Sequence, residues 1–196
     1  LGYPILIREE ERDNGYCLCL VEEDGERTFI TVKGAEGCFR SSWFEPLSPD
    51  AYDSIYVAGY QVCGGGGRVI SGWMEGAGDS LREKRVFFAP GPVITGIESP
   101  VMERILSVNP ILHINEKEAF DYAKQATVED CLRYLYGLNH NLVVVTMGAS
   151  GTMYYDGRVM KSVPAVKTKV KDTIGAGDSH VAAMIAGYYK GLDTEQ

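Results

Sequence analysis

The chain has no run approaching the roughly 20 apolar residues of a membrane-spanning helix, and its start lacks the charged-then-apolar pattern of a secretory signal. Basic residues are scarce. With 19 Lys and Arg against 27 Asp and Glu, the formal net charge of -8 excludes the broad basic footprint that nucleic acid or an anionic membrane demands. The cysteines Cys17, Cys19, Cys38, Cys63 and Cys131 make no Cys-x-x-Cys pair, and five is an odd number, which points to buried thiols in a reducing compartment. The expected location is the cytoplasm. Internal repeats and low-complexity linkers are absent, so 196 residues with 45% hydrophobic composition are expected to fold as one domain with a sizeable core. An initiator Met is missing at Leu1, and the chain stops at Gln196 soon after its last apolar helix. Both ends are expected to be truncated, the sequence being the middle of a longer chain or its ordered parts joined.

The most informative stretch is Asp172-Thr173-Ile174-Gly175-Ala176-Gly177-Asp178, between a Lys-rich segment and the apolar run Val181 to Tyr189. Two glycines let the backbone turn sharply and approach a ligand, and the N-terminal amides of a following helix make such a corner an anion site. Asp178 lies beside it, where a carboxylate could accept the proton of a hydroxyl attacking phosphorus. Taken singly, each residue has an ordinary explanation: an acid in a helix's first turn complements the dipole, and Gly-x-Gly makes turns. Two other glycine loops are excluded. No Gly-Lys-Ser/Thr follows, and His180 stands where a dinucleotide fingerprint needs its third small residue. A nicotinamide dehydrogenase would also need a Gly-rich turn after an early strand.

Tyr16 to Val21 and Thr28 to Val32, separated by a Glu22 to Glu26 turn containing Asp24-Gly25, predict a β-hairpin. Beyond Pro49 the short apolar runs Ser54 to Ala58, Val86 to Phe88, Ile111 to Ile114 and Leu142 to Val145 alternate with helical stretches. Continuous apolar strands between helices predict an α/β fold with a doubly wound, mainly parallel sheet and helices on both faces. The helices include Glu116 to Gln125 and one through Leu138 capped by Thr127. Met153 to Met160 predicts a second hairpin with an Asp156-Gly157 turn.

Further candidates lie at strand ends. Asn115 and Glu118 are three apart at a strand-to-helix junction, a spacing that fits either a phosphate and metal site or a capping box. Thr146, Gly148 and Gly151 follow the strand ending at Val145, at the end of an α/β sheet where ligands bind; an ordinary strand-end turn would also use them. Lys167, Lys169 and Lys171 alternate with apolar or hydroxyl residues and predict a strand with one solvated face. Cys63 to Arg68, with four glycines, predicts a flexible turn before a Val69 to Met74 helix. His113, His140 and His180 show no metal-ligand spacing and are expected to be structural.

The motif Asp-Thr-x-Gly-Ala-Gly-Asp resembles the C-terminal signature of the ribokinase-like (PfkB-type) carbohydrate kinase family. Asn115-Glu116-Lys117-Glu118 resembles its Asn-x-x-Glu motif, and Thr146-Met147-Gly148-Ala149-Ser150-Gly151 its Thr-x-Gly-x-x-Gly nucleotide loop. The resemblance is specific from about Val86 onward and looser from Gly15 to Ala58. It implies an ATP- and magnesium-dependent phosphotransferase acting on a hydroxyl of a sugar, a nucleoside or a similar small molecule. Asp178 would be the base, and the amides of Gly175, Ala176 and Gly177 would be the anion hole. An aspartate is a poor base towards an alcohol, so the proton would leave late, as charge moves to the phosphoryl group. Glu118 would hold magnesium through water, and Asn115, Thr146, Gly148 and Gly151 would serve the nucleotide. The carbonyls of Asp172 and Ile174 would help bind a monovalent cation such as K+. The hairpin at about 15–33 would be a lid, whose exposed edge could pair in a homodimer.

Three departures stand out. Phe88-Ala89-Pro90-Gly91-Pro92 replaces a segment that often carries Asp and Asn. His180 replaces a frequent Phe, which should alter helix packing more than chemistry. The N-terminal sugar-reading segment of the family has no counterpart here, so the acceptor stays open among sugar, sugar phosphate and nucleoside. A nucleotide- or sugar-binding regulator without turnover is the rival reading.

Overall fold

The computed structural model describes residues 7–23, 27–82, 84–170 and 172–194. Strands β1 (Tyr16–Val21) and β2 (Arg27–Val32) pair antiparallel as a separate two-stranded sheet. The main body runs β3 (Ser54–Ala58), α1 (Gly59–Val62), α2 (Gly65–Arg82), β4 (Arg85–Ala89), α3 (Ser99–Leu106), β5 (Ile111–Asn115), α4 (Glu116–Ala123), α5 (Val128–Asn139) and β6 (Val143–Thr146). It closes with β7 (Thr152–Tyr155), β8 (Met160–Val163) and α6 (Ala176–Tyr189). Part of the first hairpin's turn, Asp24 to Glu26, lies outside the described residues.

The six-stranded sheet has its strands in sequence order. β3 to β6 are parallel, and β7 and β8 extend it antiparallel. Because each parallel strand is added on the same side of its predecessor, right-handed crossovers put α2 to α5 on one face. That face holds the larger core, where Val86, Phe88, Leu112, Ile114, Val143 and Val145 meet residues of those helices such as Met74, Ile105 and Leu132. The other face, carrying Phe87, Ile111, Leu142, Val144 and Tyr154, receives Met184, Ile185 and Tyr188 of α6. Helices therefore lie on both faces, unevenly. Adjacent Phe87 and Phe88 are fully buried on opposite faces, and each such side chain contributes about 1.5–3 kcal/mol by leaving water.

Several local expectations need correction. Residues 164–170 form no strand, and Lys171 lies outside the described residues. Pro164 removes an N–H just where the ladder from β8 would continue, and alternation alone cannot replace a pairing partner. The glycine run is helical from Gly65 instead of a loose turn, since a Cβ on Gly66 would lie 2.6 Å from the Phe39 ring and one on Gly67 2.1 Å from the Val62 carbonyl. Of the cysteines only Cys131 is buried; Cys17 and Cys19 are exposed on β1. No helix among the described residues is long and apolar enough to cross a membrane.

Candidate active site

The site is set by the direction of α6. Near its start, His180 touches His113 on β5 and Thr152 on β7; near its end, Tyr188 packs on Phe87 and lies under the Arg85 guanidinium at the beginning of β4. The helix thus runs antiparallel to the parallel strands. Its N-terminus stands at their carboxyl edge, where open α/β sheets take their ligands.

The signature turn closes on itself before the helix begins. Ile174 donates its N–H to Asp172 Oδ1 at 2.7 Å, and Ala176 donates to the Thr173 carbonyl at 3.2 Å. Gly175, at φ 72°, caps the helix from the left-handed region that glycine enters without strain. The helix starts at Ala176, five residues before the apolar run, so Asp178 is its third residue and is exposed. Of the three amides expected to hold an anion, that of Ala176 already has a partner within the turn. Helix geometry directs the N–H groups of Gly175 and Gly177 out of the helix end.

Asn115 and Glu118 form a complete capping box. The Glu118 N–H donates to Asn115 Oδ1 at 2.9 Å, the Asn115 N–H donates to Glu118 Oε2 at 3.0 Å, and Asn115 Nδ2 donates to Glu118 Oε1 at 2.7 Å. The pair is therefore structural whatever else it does. Glu118 is only 8% exposed, and burial above all raises its carboxyl pKa against the lowering effect of these bonds. Each of its oxygens keeps further acceptor capacity.

Thr146 lies directly beside Asn115 in the parallel register of β5 and β6. After it, the Met147 N–H donates to the Gly151 carbonyl at 2.8 Å, closing a tight loop over Gly148–Ser150. Gly151 is required there: its φ is 94°, and a Cβ would lie 2.1 Å from the Val163 carbonyl oxygen. Gly148, at φ 56°, meets open space. The structure thus gathers Asn115, Glu118 and the Thr146 loop at one edge, with the Asp172–Asp178 turn beside them.

Sequence reasoning missed two sets of neighbours. Tyr56 on β3 and Tyr60 on α1 are both exposed near this edge, and the phenol pKa of each is raised, first by partial burial, with Asp178 next for Tyr56 and a smaller contributor for Tyr60. Glu118 and Cys17 of the hairpin also raise Tyr60, so three elements converge on it. The second set is His113 and His180, whose rings meet at 2.9 Å, Nε2 to Nδ1. Alternation on β5 does put His113 on the face of Asn115, but nothing local couples it to a residue 67 positions away. An apolar cavity beneath α6, lined by Val144, Tyr154 and Met184 among others, is not lined by Asp178, Asn115 or Glu118. The candidate site is the carboxyl edge of the sheet, outside that cavity.

The profile of the pfkB family carbohydrate kinase matches residues 5–196. The chain belongs to this family. It is 32% identical over 195 residues to the uncharacterized sugar kinase YegV of Escherichia coli K12, covering 97% of this chain and 60% of that protein. It therefore spans about three fifths of that relative's length. Among solved structures, adenosine kinase from Schistosoma mansoni in complex with 2-fluoroadenosine superposes with a TM-score of 0.80 at 23% identity, over 94% of this chain and 59% of that one. Ribokinase from Cryptococcus neoformans in complex with ADP gives 0.71 at 22% identity, over 94% and 62%. Both likenesses show the ribokinase-like fold, in agreement with the mainly parallel sheet, covering helices and separate hairpin expected from the sequence.

Proposed function

We propose that the protein, at full length, transfers the terminal phosphoryl group of ATP to a hydroxyl of a sugar or nucleoside, with Asp178 as the base. The observation that carries this reading is the position of the Asp178 turn, at the N-terminus of α6 and on the edge occupied by Asn115, Glu118 and Thr146. The family name supports the reaction class. The acceptor oxygen forms a bond to phosphorus as the bond from phosphorus to the ADP oxygen breaks, and the hydroxyl proton passes to Asp178. The Gly175 and Gly177 amides, fixed before reaction, face the charge that develops on the phosphoryl oxygens, with Ala176 able to share its N–H. Thr146 and the backbone at Gly148 and Gly151 border the nucleotide phosphates, and Asn115 reaches them from the adjacent strand.

Magnesium fits this donor set. No group of three or more His, Cys, Asp or Glu side chains gathers among the described residues, so a metal here would be held by few carboxylates, water and phosphate oxygens, the coordination magnesium favours. Glu118 would hold its water shell, and the ion would neutralise phosphate charge. The carbonyls of Asp172 and Ile174 are proposed ligands for K+, because the Asx turn between them fixes that backbone. The hairpin is proposed as a lid by its likeness to the family's lid; Cys17 and Cys19 share one of its faces. By register, the opposite face carries exposed Tyr16, Leu18, Leu20, Ile30 and Val32, which suits a second copy of the chain. The cytoplasm suits a kinase with two exposed free thiols.

The test is a screen of sugars, sugar phosphates and nucleosides for ADP release by the full-length protein with magnesium. Turnover with at least one acceptor, abolished in Asp178→Ala, is expected. Binding of ATP and acceptor without turnover on any compound would favour the regulator instead.

A further inference from the structure

His113 and His180 form a polar contact between the sheet and α6 that phosphoryl transfer does not require. His113 is 5% exposed on β5, and its Nε2 lies 2.9 Å from His180 Nδ1; His180 Nε2 lies 3.3 Å from Thr152 Oγ1. Two tautomer assignments satisfy the whole row. In one, His113 Nε2 accepts from His180 Nδ1–H and His180 Nε2 accepts from the Thr152 hydroxyl; in the other, His113 Nε2–H donates to His180 Nδ1 and His180 Nε2–H donates to Thr152 Oγ1. The row ties three points together: β5 two residues before Asn115, β7 six residues after Thr146, and α6 two residues after Asp178. In a helix of small residues such as Ala182, Ala183, Ala186 and Gly187, few side chains grip the sheet near the N-terminus. The directional bonds of His180 supply a grip that apolar contact alone leaves loose.

We propose that His113, His180 and Thr152 act as a strut of positioning residues that fixes the Asp178 turn against the nucleotide edge. A proton added to His113 leaves it donating from both ring nitrogens, with His180 Nδ1 accepting and His180 Nε2 donating to Thr152. A second proton sets two N–H groups against each other. The surroundings favour the neutral form. Lining one cavity with His180 are Val144 from β6, Tyr154 from β7 and Ala183 and Met184 from α6, whose N-terminal end adds the positive end of its dipole. Asp193 is the carboxylate on the wall of the cavity that His180 borders, and it alone of these groups would favour a proton there.

The proposal rests on the reading of Asp178 as base, and two measurements on the full-length protein separate the two ideas. The first is kcat and KM for ATP between pH 5 and 8 for wild type, His180→Phe, His180→Asn, Thr152→Val and the pair His113→Leu/His180→Phe. Expected is a kcat about tenfold lower in His180→Phe with KM for ATP within twofold, and substantial recovery in His180→Asn, whose amide can still donate to His113. The double variant should lower kcat no further than His180→Phe does, because the same row is lost in both. The second is hydrogen exchange across 175–182, corrected for intrinsic rates, which needs no turnover. Protection should fall in His180→Phe and in the double variant, and be largely kept in His180→Asn. An unchanged kcat and unchanged protection in His180→Phe would overturn the strut, whereas normal exchange behaviour with no turnover in wild type would overturn the kinase reading alone. Should His180→Phe not fold, Thr152→Val, which removes only the outer bond, must still show the smaller fall in protection for the proposal to stand.

Discussion

Asn115 and Thr146 are side-by-side partners at the carboxyl ends of the parallel strands β5 and β6. One begins a helix and the other begins a glycine loop, so two candidate nucleotide contacts share a rigid base while depending on different local structure. Substitution should separate them. Asn115→Ala removes the cap of α4, taking the side-chain partner from Glu118 Oε1 and from the Glu118 N–H while the backbone bond to Oε2 persists, costing about 1–2 kcal/mol of stability. Thr146→Ala loses only an exposed-edge hydroxyl, within about 0.5 kcal/mol. Thermal unfolding should show the first and miss the second, while KM for ATP should rise in both.

The loop glycines should differ in the same way. At Gly151 a methyl group would meet a carbonyl oxygen at 2.1 Å on a backbone of φ 94°, whereas at Gly148 only the positive φ opposes it. Gly148→Ala is expected to cost about 1–2 kcal/mol from the left-handed backbone alone. Gly151→Ala should cost more, on the order of 3 kcal/mol or above, because β8 must shift as well. Denaturant midpoints of the two variants give the order directly.

Stability should also fall with acid through His113. Its pKa is lowered from 6.5 to about 4, chiefly by burial and then by His180. Above pH 6.5 both folded and unfolded chains leave this ring neutral. As pH falls from 6.5 towards 4 the unfolded chain takes the proton first, and the folded state loses on the order of 3 kcal/mol, with no further loss below. His180, lowered by partial burial, acts in the same direction. The double variant His113→Leu/His180→Phe should flatten this part of the stability profile, measured by urea unfolding from pH 7.5 to 4.

Much of the fold could be read along the chain, because its information there is local. Ser54 to Ala58 forms the strand that its apolar run predicts, and Thr127 caps α5 by accepting the Asp130 N–H at 3.1 Å. Asn115, Glu118, Thr146 and Asp178 were found as candidates because strand ends and helix starts carry both the structure and the chemistry of an α/β sheet. What escaped needed tertiary information. The Lys167 and Lys169 alternation satisfies a strand pattern but finds no ladder after Pro164. Gly65 to Gly67 looked like a flexible turn since nothing in their own sequence reports the Phe39 ring above them. His113 and His180, read as separate structural residues, became a pair only once α6 was laid across the sheet.

The lid surface gives a prediction on assembly. Leu18 and Ile30 are register partners on the hairpin face opposite Cys17, and both are about half exposed, at 51% and 47%. Burying such a face against a second copy would supply the third and fourth strands that an isolated hairpin lacks. Leu18→Lys/Ile30→Glu should shift the full-length protein from dimer to monomer in sedimentation velocity. A wild-type monomer at all concentrations would refute the assembly and leave the active-site assignments untouched.

Asp178 is the proposed base, and its role can be tested apart from folding. Asp178→Asn keeps the side-chain size and the helix start but removes the proton acceptor, so single-turnover phosphoryl transfer should fall by about 10²–10⁴-fold. ATP affinity should change little, because the proposed nucleotide contacts lie on β5, β6 and the backbone of the turn. The substitution is exposed at the third position of α6, and its structural cost is the loss of one favourable dipole contact, about 0.3–1 kcal/mol. Folding and chemistry are therefore separable at this site. A variant that unfolds normally, binds ATP normally and transfers phosphate at the wild-type rate would remove Asp178 from the base role, leaving the helix N-terminus alone to account for catalysis.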